Sequence, residues 1–268
     1  MRRYLIRLLP IGIALVVVLF QFASSEKITN EAGRTVRLAL SQDQEAALGL
    51  QSYRQVLAES RVVGSGPQYE RVKSVATRLA AVTGDAGRKF DWRVSVVESD
   101  QVNAFCLPGG KIVVYTGILS VAQNDAGLAT VMGHEMAHAT LRHGSERLLK
   151  QKATQTALTG VQFSLGDMDY QQQRAVMGVI GAGAKFGLLL PFSREHESEA
   201  DMIGLLYMAR AGFDPREAVA LWQRMGRASS GGQSLEFMST HPSNEKRIEQ
   251  LKALLPKALE LYHPQLER

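Results

Sequence analysis

The stretch His134-Glu135-Met136-Ala137-His138 concentrates more chemistry than any other five residues of this chain. On a helix, about 100° of rotation per residue puts positions i and i+4 on one face, with Cβ atoms ~5–6 Å apart. Two imidazoles at that spacing can each give a nitrogen to one Zn²⁺ at ~2.0–2.1 Å, and Glu135 then stands beside the open coordination position. Histidine is sparse, with six in 268 residues, and a chance match is the competing explanation. The helical setting argues against chance. Asn124 or Asp125 can cap the helix, and Leu128, Val131, Met132 and Ala139 recur at core-facing intervals. The stretch reads as a buried helix whose polar edge opens onto a metal site.

Two histidines leave zinc short of a catalytic centre, which needs a third protein ligand and one open position for water. Three candidates stand in the sequence. His143 follows His134 by nine residues, about 180° round a continuing helix, and is expected to point away. Position 144, where a metzincin would carry its third histidine, is Gly144. The acidic run Glu195-His196-Glu197-Ser198-Glu199-Ala200-Asp201 places Glu197 and Asp201 four apart on one helix face, with Glu195 and Glu199 on the other side. One carboxylate of such a pair can bind metal while the other orients a ligand; a solvated acidic face is the bland alternative. His241, behind a Ser/Gly-rich stretch and before Pro242, could also reach the site. Spacing alone does not decide among them.

The elements that must position these groups follow from pattern. Glu26 to Leu40 is expected to be a linker or short extended lead-in. Ser41-Gln42-Asp43-Gln44 opens a helix through about Ala58, and Pro67 opens a second that turns Val72, Val75, Ala76 and Leu79 inward and ends at Gly84–Gly87. Trp92–Val97 and Lys111–Tyr115 read as strands, with Pro108-Gly109-Gly110 as the tight turn of a hairpin between them. Helices are expected over 145–164 and 170–190. The second is rich in glycine and alanine without the dinucleotide-binding spacing, which suits close helix packing, a membrane-touching surface being the runner-up. A further helix runs from Ser193 to about Ala211. Asp214-Pro215 starts the next, ending near Gly226 before a loop at 227–232, and a last helix starts at Ser243. The fold class is therefore α+β and mostly helical, with a small β-hairpin or sheet flanking the metal helix. No internal repeat and no clear domain seam stands out.

The formal charge of +5 looks basic until it is located. Arg2, Arg3 and Arg7 supply three of those charges before the first acid at Glu26, and the remainder is nearly balanced. Nothing calls for nucleic acid. Cys106 is the only cysteine, so no intrachain disulfide can form, and with no paired base it makes a poor nucleophile. Residues 1–25 read as an export signal: a basic start, Leu8 to Phe20 without a charge, and Ala23-x-Ser25 as a small-x-small cleavage site. An uncleaved N-terminal membrane anchor is the alternative. Either way the bulk of the protein is expected outside the cytoplasm, in the periplasm and in reach of a membrane surface.

Ordered motifs along the rest of the chain carry a family likeness. They are Asn103-Ala104-Phe105 with Pro108-Gly109-Gly110 and Thr116-Gly117, Gly133-His134-Glu135-x-x-His138, Ser193-Arg194 with Glu197-x-x-Ala200-Asp201, and His241-Pro242. The chain resembles the membrane-associated gluzincin zinc endopeptidases of the BepA, HtpX and CAAX prenyl protease type. The exported, single-leader layout is expected to be closer to BepA than to the multispanning members. The resemblance implies one zinc per chain on His134, His138 and Glu197, with Glu135 as general base and Asp201 as a supporting acid behind a histidine. It puts Arg194 near the site, and His241 near the metal as a removable ligand or a transition-state donor. His196 and His263 match no motif and are expected at the surface. Residues 26–268 would then form one metallopeptidase domain that cleaves misfolded or misassembled envelope proteins. Its substrates would be unfolded or extended polypeptides, added as a strand along Lys111–Tyr115 or its hairpin partner. Two other readings compete: a catalytically idle chaperone or assembly factor, and a structural zinc site closed by His241.

Overall fold

The computed structural model describes residues 2–165, 192–230, 236–241 and 245–264, with isolated positions 169, 171, 174 and 177 between the first two blocks. In chain order the elements are α1 (Arg2–Ser24), β1 (Glu26–Thr29), β2 (Thr35–Leu38), α2 (Gln42–Ala58), β3 (Val62–Val63), α3 (Pro67–Ala80) and α4 (Gly84–Arg88). Then come β4 (Arg93–Val97), β5 (Ala104–Leu107), β6 (Lys111–Tyr115), α5 (Ile118–Ala122), α6 (Asp125–Thr140) and α7 (His143–Ser164). The last described elements are α8 (Arg194–Arg210), α9 (Arg216–Ser230), α10 (Glu236–Thr240) and α11 (Glu245–Glu260). The class is α+β and mostly helical, as expected. The helix expected over 170–190 falls outside the described residues apart from three isolated positions. Helix α9 runs past Gly226 to Ser230, where a loop was expected from Arg227.

The chain forms two compact units, the first made of residues 1–28, 35–41 and 145–190. Its α1 and α7 meet at Gly160, where a Cβ would lie 2.4 Å from that of Ala14 and 3.0 Å from the Pro10 carbonyl oxygen. Gln21 Nε2 donates to Thr156 Oγ1 at 3.0 Å along the same contact. Elsewhere α1 bares its apolar side chains, Leu9, Leu15, Val16 and Phe20 being 60–69% exposed. Among the described residues no helix is long and apolar enough to cross a membrane. The lead-in after α1 is more ordered than expected, since β1 and β2 pair as a two-stranded sheet.

The second unit takes residues 29–34, 42–144 and 191–268. Its sheet runs β3-β4-β6-β5. The expected hairpin between Trp92–Val97 and Lys111–Tyr115 is not there: β4 and β6 pair in parallel, Arg93 opposite Lys111 and Val97 opposite Tyr115. The hairpin partner of β6 is β5, antiparallel with Ala104 opposite Val114 and Leu107 opposite Lys111. Both Gly109 and Gly110, with φ of 76° and 84°, carry the turn in the left-handed region that favours glycine. Side chains alternate across the sheet. Val96, Ile112 and Val114 join the main core with α3 and α6, while Val97 and Val113 pack on Tyr53 of α2. Strand β6 is thus flanked on both sides, and β5 is an edge of the sheet.

Helix α6 is buried on every side from Gly127 to Thr140. Asn124 caps it, its Oδ1 accepting from the Gly127 N–H at 2.7 Å. Where α6 crosses α8 the two backbones touch. A Cβ on Gly204 would lie 2.8 Å from the His134 nitrogen, and one on Gly133 would lie 3.0 Å from the Gly204 carbonyl oxygen. Glu197 and Asp201, seven and three residues before Gly204, share its face of α8. The close crossing therefore lays both carboxylates over the two histidines. Ser193 caps α8, its Oγ accepting from the His196 N–H at 3.2 Å.

Candidate metal centre

Four side chains converge in the second unit: His134 and His138 from α6, Glu197 from the first turn of α8, and His241 just past α10, all buried. One ligand atom from each lies within 4.8 Å of all the others. His134 Nε2 is 3.1 Å from His138 Nε2 and 3.2 Å from His241 Nδ1. Glu197 Oε1 lies 2.9 Å from His241 Nδ1 and 3.3 Å from His138 Nε2. A tetrahedral zinc with bonds of ~2.0–2.1 Å sets its ligand atoms ~3.3 Å apart. Three imidazole nitrogens and a carboxylate oxygen at this spacing fit that ion in both chemistry and size. Burial opposes ionisation of Glu197, but hydrogen bonds from His134, His138 and His241 hold its carboxyl well below the usual range.

Glu135 lies next in the same turn, 4% exposed. Its Oε1 makes no hydrogen bond of good geometry and only approaches His241 Nε2 at 3.3 Å. Burial pushes its carboxyl up to about 7, against the pull of His241, with Glu197 adding to the rise. Cys106, on the edge strand β5, has its thiol pushed well above the ordinary value by burial and then by Glu135. A thiol held protonated in this way is not a nucleophile.

Behind the cluster, Asp201 Oδ1 sits 3.0 Å from His134 Nδ1. Of the two histidines it could have supported, it backs His134. The cation that offsets this negative charge was not foreseen. Arg247 of α11 donates from Nη1 to Glu197 Oε2 at 2.9 Å and from Nη2 to Asp201 Oδ1 at 2.6 Å. Its guanidinium carbon lies 3.4 Å over the Trp222 ring. A signal was present in the sequence: Arg247 shares the inward face of the last helix with Leu251 and Ala258, a charge on an apolar stripe.

Two expectations for other histidines are overturned. His143 does not point away: it is fully buried, with Nδ1 2.9 Å from His138 Nδ1 and Nε2 3.0 Å from Glu199 Oε2. The helix does not continue through it. Helix α6 ends at Thr140, Arg142 takes a left-handed φ of 60°, and α7 starts afresh at His143. His196, expected at the surface, is 2% exposed and stacks on His143 with ring centroids 4.3 Å apart. His263 is exposed as expected, and Arg194 is exposed at the start of α8 rather than turned into the cluster. Glu199, on the far side of α8 from Glu197, belongs to the support behind His138 and not to a solvated face.

Residues 67–255 match the sequence profile of Peptidase family M48. The chain is 39% identical over 223 residues to the mitochondrial metalloendopeptidase OMA1 of Schizosaccharomyces pombe, covering 82% of this chain and 63% of that one. Against the OMA1 of Saccharomyces cerevisiae the figures are 40% over 184 residues, covering 64% and 49%. The beta-barrel assembly-enhancing protease of Yersinia pestis is 29% identical over 229 residues, covering 84% and 46%. The chain thus spans between 46% and 63% of the length of these relatives. Zinc is the metal of this family, and the four-donor cluster is where this chain could hold it.

Proposed function

The chain belongs to peptidase family M48, and from that premise we propose that it is a zinc-dependent endopeptidase with its metal on His134, His138 and Glu197 and its general base at Glu135. The observation that carries the reading is the convergence of those three donors at 3.1–3.5 Å with Glu135 in the adjoining position. Bound zinc supplies a Lewis acid for the carbonyl and a lowered pKa for water. Glu135, with one oxygen free of hydrogen bonds, takes the proton of the attacking water and returns it to the leaving amine. Asp201 accepts from His134 Nδ1 and so keeps Nε2 facing the metal, while Arg247 holds Asp201 and Glu197 in place.

The substrate enters as an extended strand. The two strands expected in this role, Lys111–Tyr115 (β6) and its expected hairpin partner Trp92–Val97 (β4), are each paired on both sides. Strand β5, which does pair antiparallel with β6, is an edge among the described residues. Backbone pairing along β5 asks for an unfolded segment and little of its side chains. The substrates we infer are misfolded or misassembled envelope proteins, met after export and near a membrane. Residues 1–25, as a leader or anchor, support that setting through their arginine-rich start and the bared apolar side chains of α1. The compartment rests on those residues, because the relatives divide between mitochondrial and beta-barrel-assembly names.

The test is cleavage of a casein-like unfolded chain by wild type and Glu135→Gln, with zinc content measured in both. Glu135→Gln is expected to keep its zinc and lose about 10²–10⁴ in rate; undiminished cleavage by that variant would overturn the assignment. A second reading, a structural zinc site, is favoured by one observation: His241 stands as a fourth donor, closing the set. In the peptidase reading His241 must give way to water and substrate, so His241→Ala raises basal cleavage. A structural site cleaves nothing in either form.

A further inference from the structure

The support behind His138 is built from groups that no motif of the chain announces. His138 turns Nε2 into the donor cluster, 3.1 Å from His134 Nε2, and Nδ1 away from it, 2.9 Å from His143 Nδ1. Two imidazole nitrogens at that distance need one proton between them. The other end of His143 settles where it is. Nε2 of His143 lies 3.0 Å from Glu199 Oε2, and an ionised carboxylate only accepts, so His143 Nε2 carries the hydrogen. A neutral His143 then has a lone pair at Nδ1, and the shared proton sits on His138 Nδ1. That leaves His138 Nε2 as a lone pair facing the cluster.

Glu199 is itself fixed. Arg34 donates from Nε to Glu199 Oε1 at 2.5 Å and from Nη2 to Oε2 at 3.2 Å, and Asn30 Nδ2 donates to Oε2 at 3.2 Å. The His143 ring is fully buried and held from one face by the stacked ring of His196.

We propose that His143 is a positioning residue for the metal: it holds His138 in the one tautomer that ligates through Nε2, and Glu199 with Arg34 holds His143. The proposal rests on the zinc-peptidase reading above. It gives the chain a histidine–histidine–glutamate–arginine line where the other ligand has a histidine–aspartate–arginine line.

The test is zinc affinity, read by competition with a chromophoric chelator on the full chain, with circular dichroism to establish folding. His143→Ala is expected to bind zinc about 10–100-fold more weakly than wild type. His143→Asn places an amide oxygen where Nδ1 stood, restores the acceptor for His138, and recovers most of the loss. Nitrogen NMR of the zinc-loaded protein is expected to show His138 protonated at Nδ1 in wild type and in His143→Asn. Should His143→Ala fail to fold, Glu199→Gln reads the same line and is expected to weaken zinc binding by a smaller factor. Wild-type affinity in a folded His143→Ala, or a loss that asparagine does not relieve, overturns the proposal. A wild-type protein that binds no zinc overturns the peptidase reading instead.

Discussion

His134 and His138 stand one turn apart on the same helix, yet the structure backs them differently. His134 meets Asp201 directly, and Asp201 meets Arg247; both charged side chains are almost wholly buried, 5% and 4% exposed. His138 meets a second imidazole first, and only beyond it come Glu199 and Arg34, 12% and 21% exposed. The interposed ring of His143 carries the hydrogen bond outward, so that the charged pair behind it keeps some water. On the His134 side the ions are packed over Trp222 with no such relief. The two ligands face one metal, but one rests on a dry ion pair and the other on a neutral relay.

The largest effect should come from breaking the dry side. Arg247→Ala strips the cation from two buried carboxylates, Glu197 and Asp201, and is expected to cost about 3–5 kcal/mol. Denaturant unfolding of the variant measures it. A cost below ~1 kcal/mol would mean that the two sides are supported alike. The relay is instead sensitive to acid. Burial lowers the His143 ring to about 4, beyond what Glu199 can restore. Unfolding returns that ring to ~6.5, so below this value the unfolded chain takes up a proton that the folded one refuses. The stability from His143 is complete above pH ~6.5 and drains away as pH falls towards 4. Glu199 adds a second loss at lower pH: burial opposes its charge, but His143 and Arg34 hold it down to about 2, against ~4.3 unfolded. Melting temperatures taken from pH 7.5 to 4.5 should fall more steeply for wild type than for His143→Asn, which has no ring to titrate; parallel curves would remove the relay from the pH dependence. The smallest effect belongs to the outer cation. Arg34→Ala, at a partly exposed ion pair, is expected to cost at most about 1 kcal/mol, and about 3 kcal/mol or more in an unfolding experiment would move Arg34 into the same class as Arg247.

How much of this was legible depends on whether a residue's position follows from local geometry. His134, Glu135 and His138 could be read because a helix fixes i and i+4, and the Glu197–Asp201 pair for the same reason. The cap at Asn124 and the start of α8 at Ser193 follow from side-chain oxygens that satisfy free N–H groups. His143 was misplaced because its projection assumed an unbroken helix. The break is Arg142 in a left-handed conformation, where a glycine or proline would have announced it and an arginine does not. The parallel pairing of β4 with β6 was hidden for another reason. Strand β5 is four residues long, Ala104–Leu107, and its presence between the other two in the chain changes which strand Pro108-Gly109-Gly110 turns back upon. Arg247 was within reach, as a charge on the inward stripe of the last helix. Its partners Glu197 and Asp201 lie 50 and 46 residues earlier, a pairing that only the folded chain makes.

The central claim is one zinc held by His134 and His138 of α6 and Glu197 of α8. X-ray absorption at the zinc edge, on the purified full chain with its metal content determined, tests this most directly. One zinc per chain, with nitrogen and oxygen neighbours at ~2.0–2.1 Å and an imidazole contribution that drops in His134→Ala and His138→Ala, is the result expected. A protein without zinc, or a zinc whose imidazole contribution is untouched by both substitutions, would contradict it.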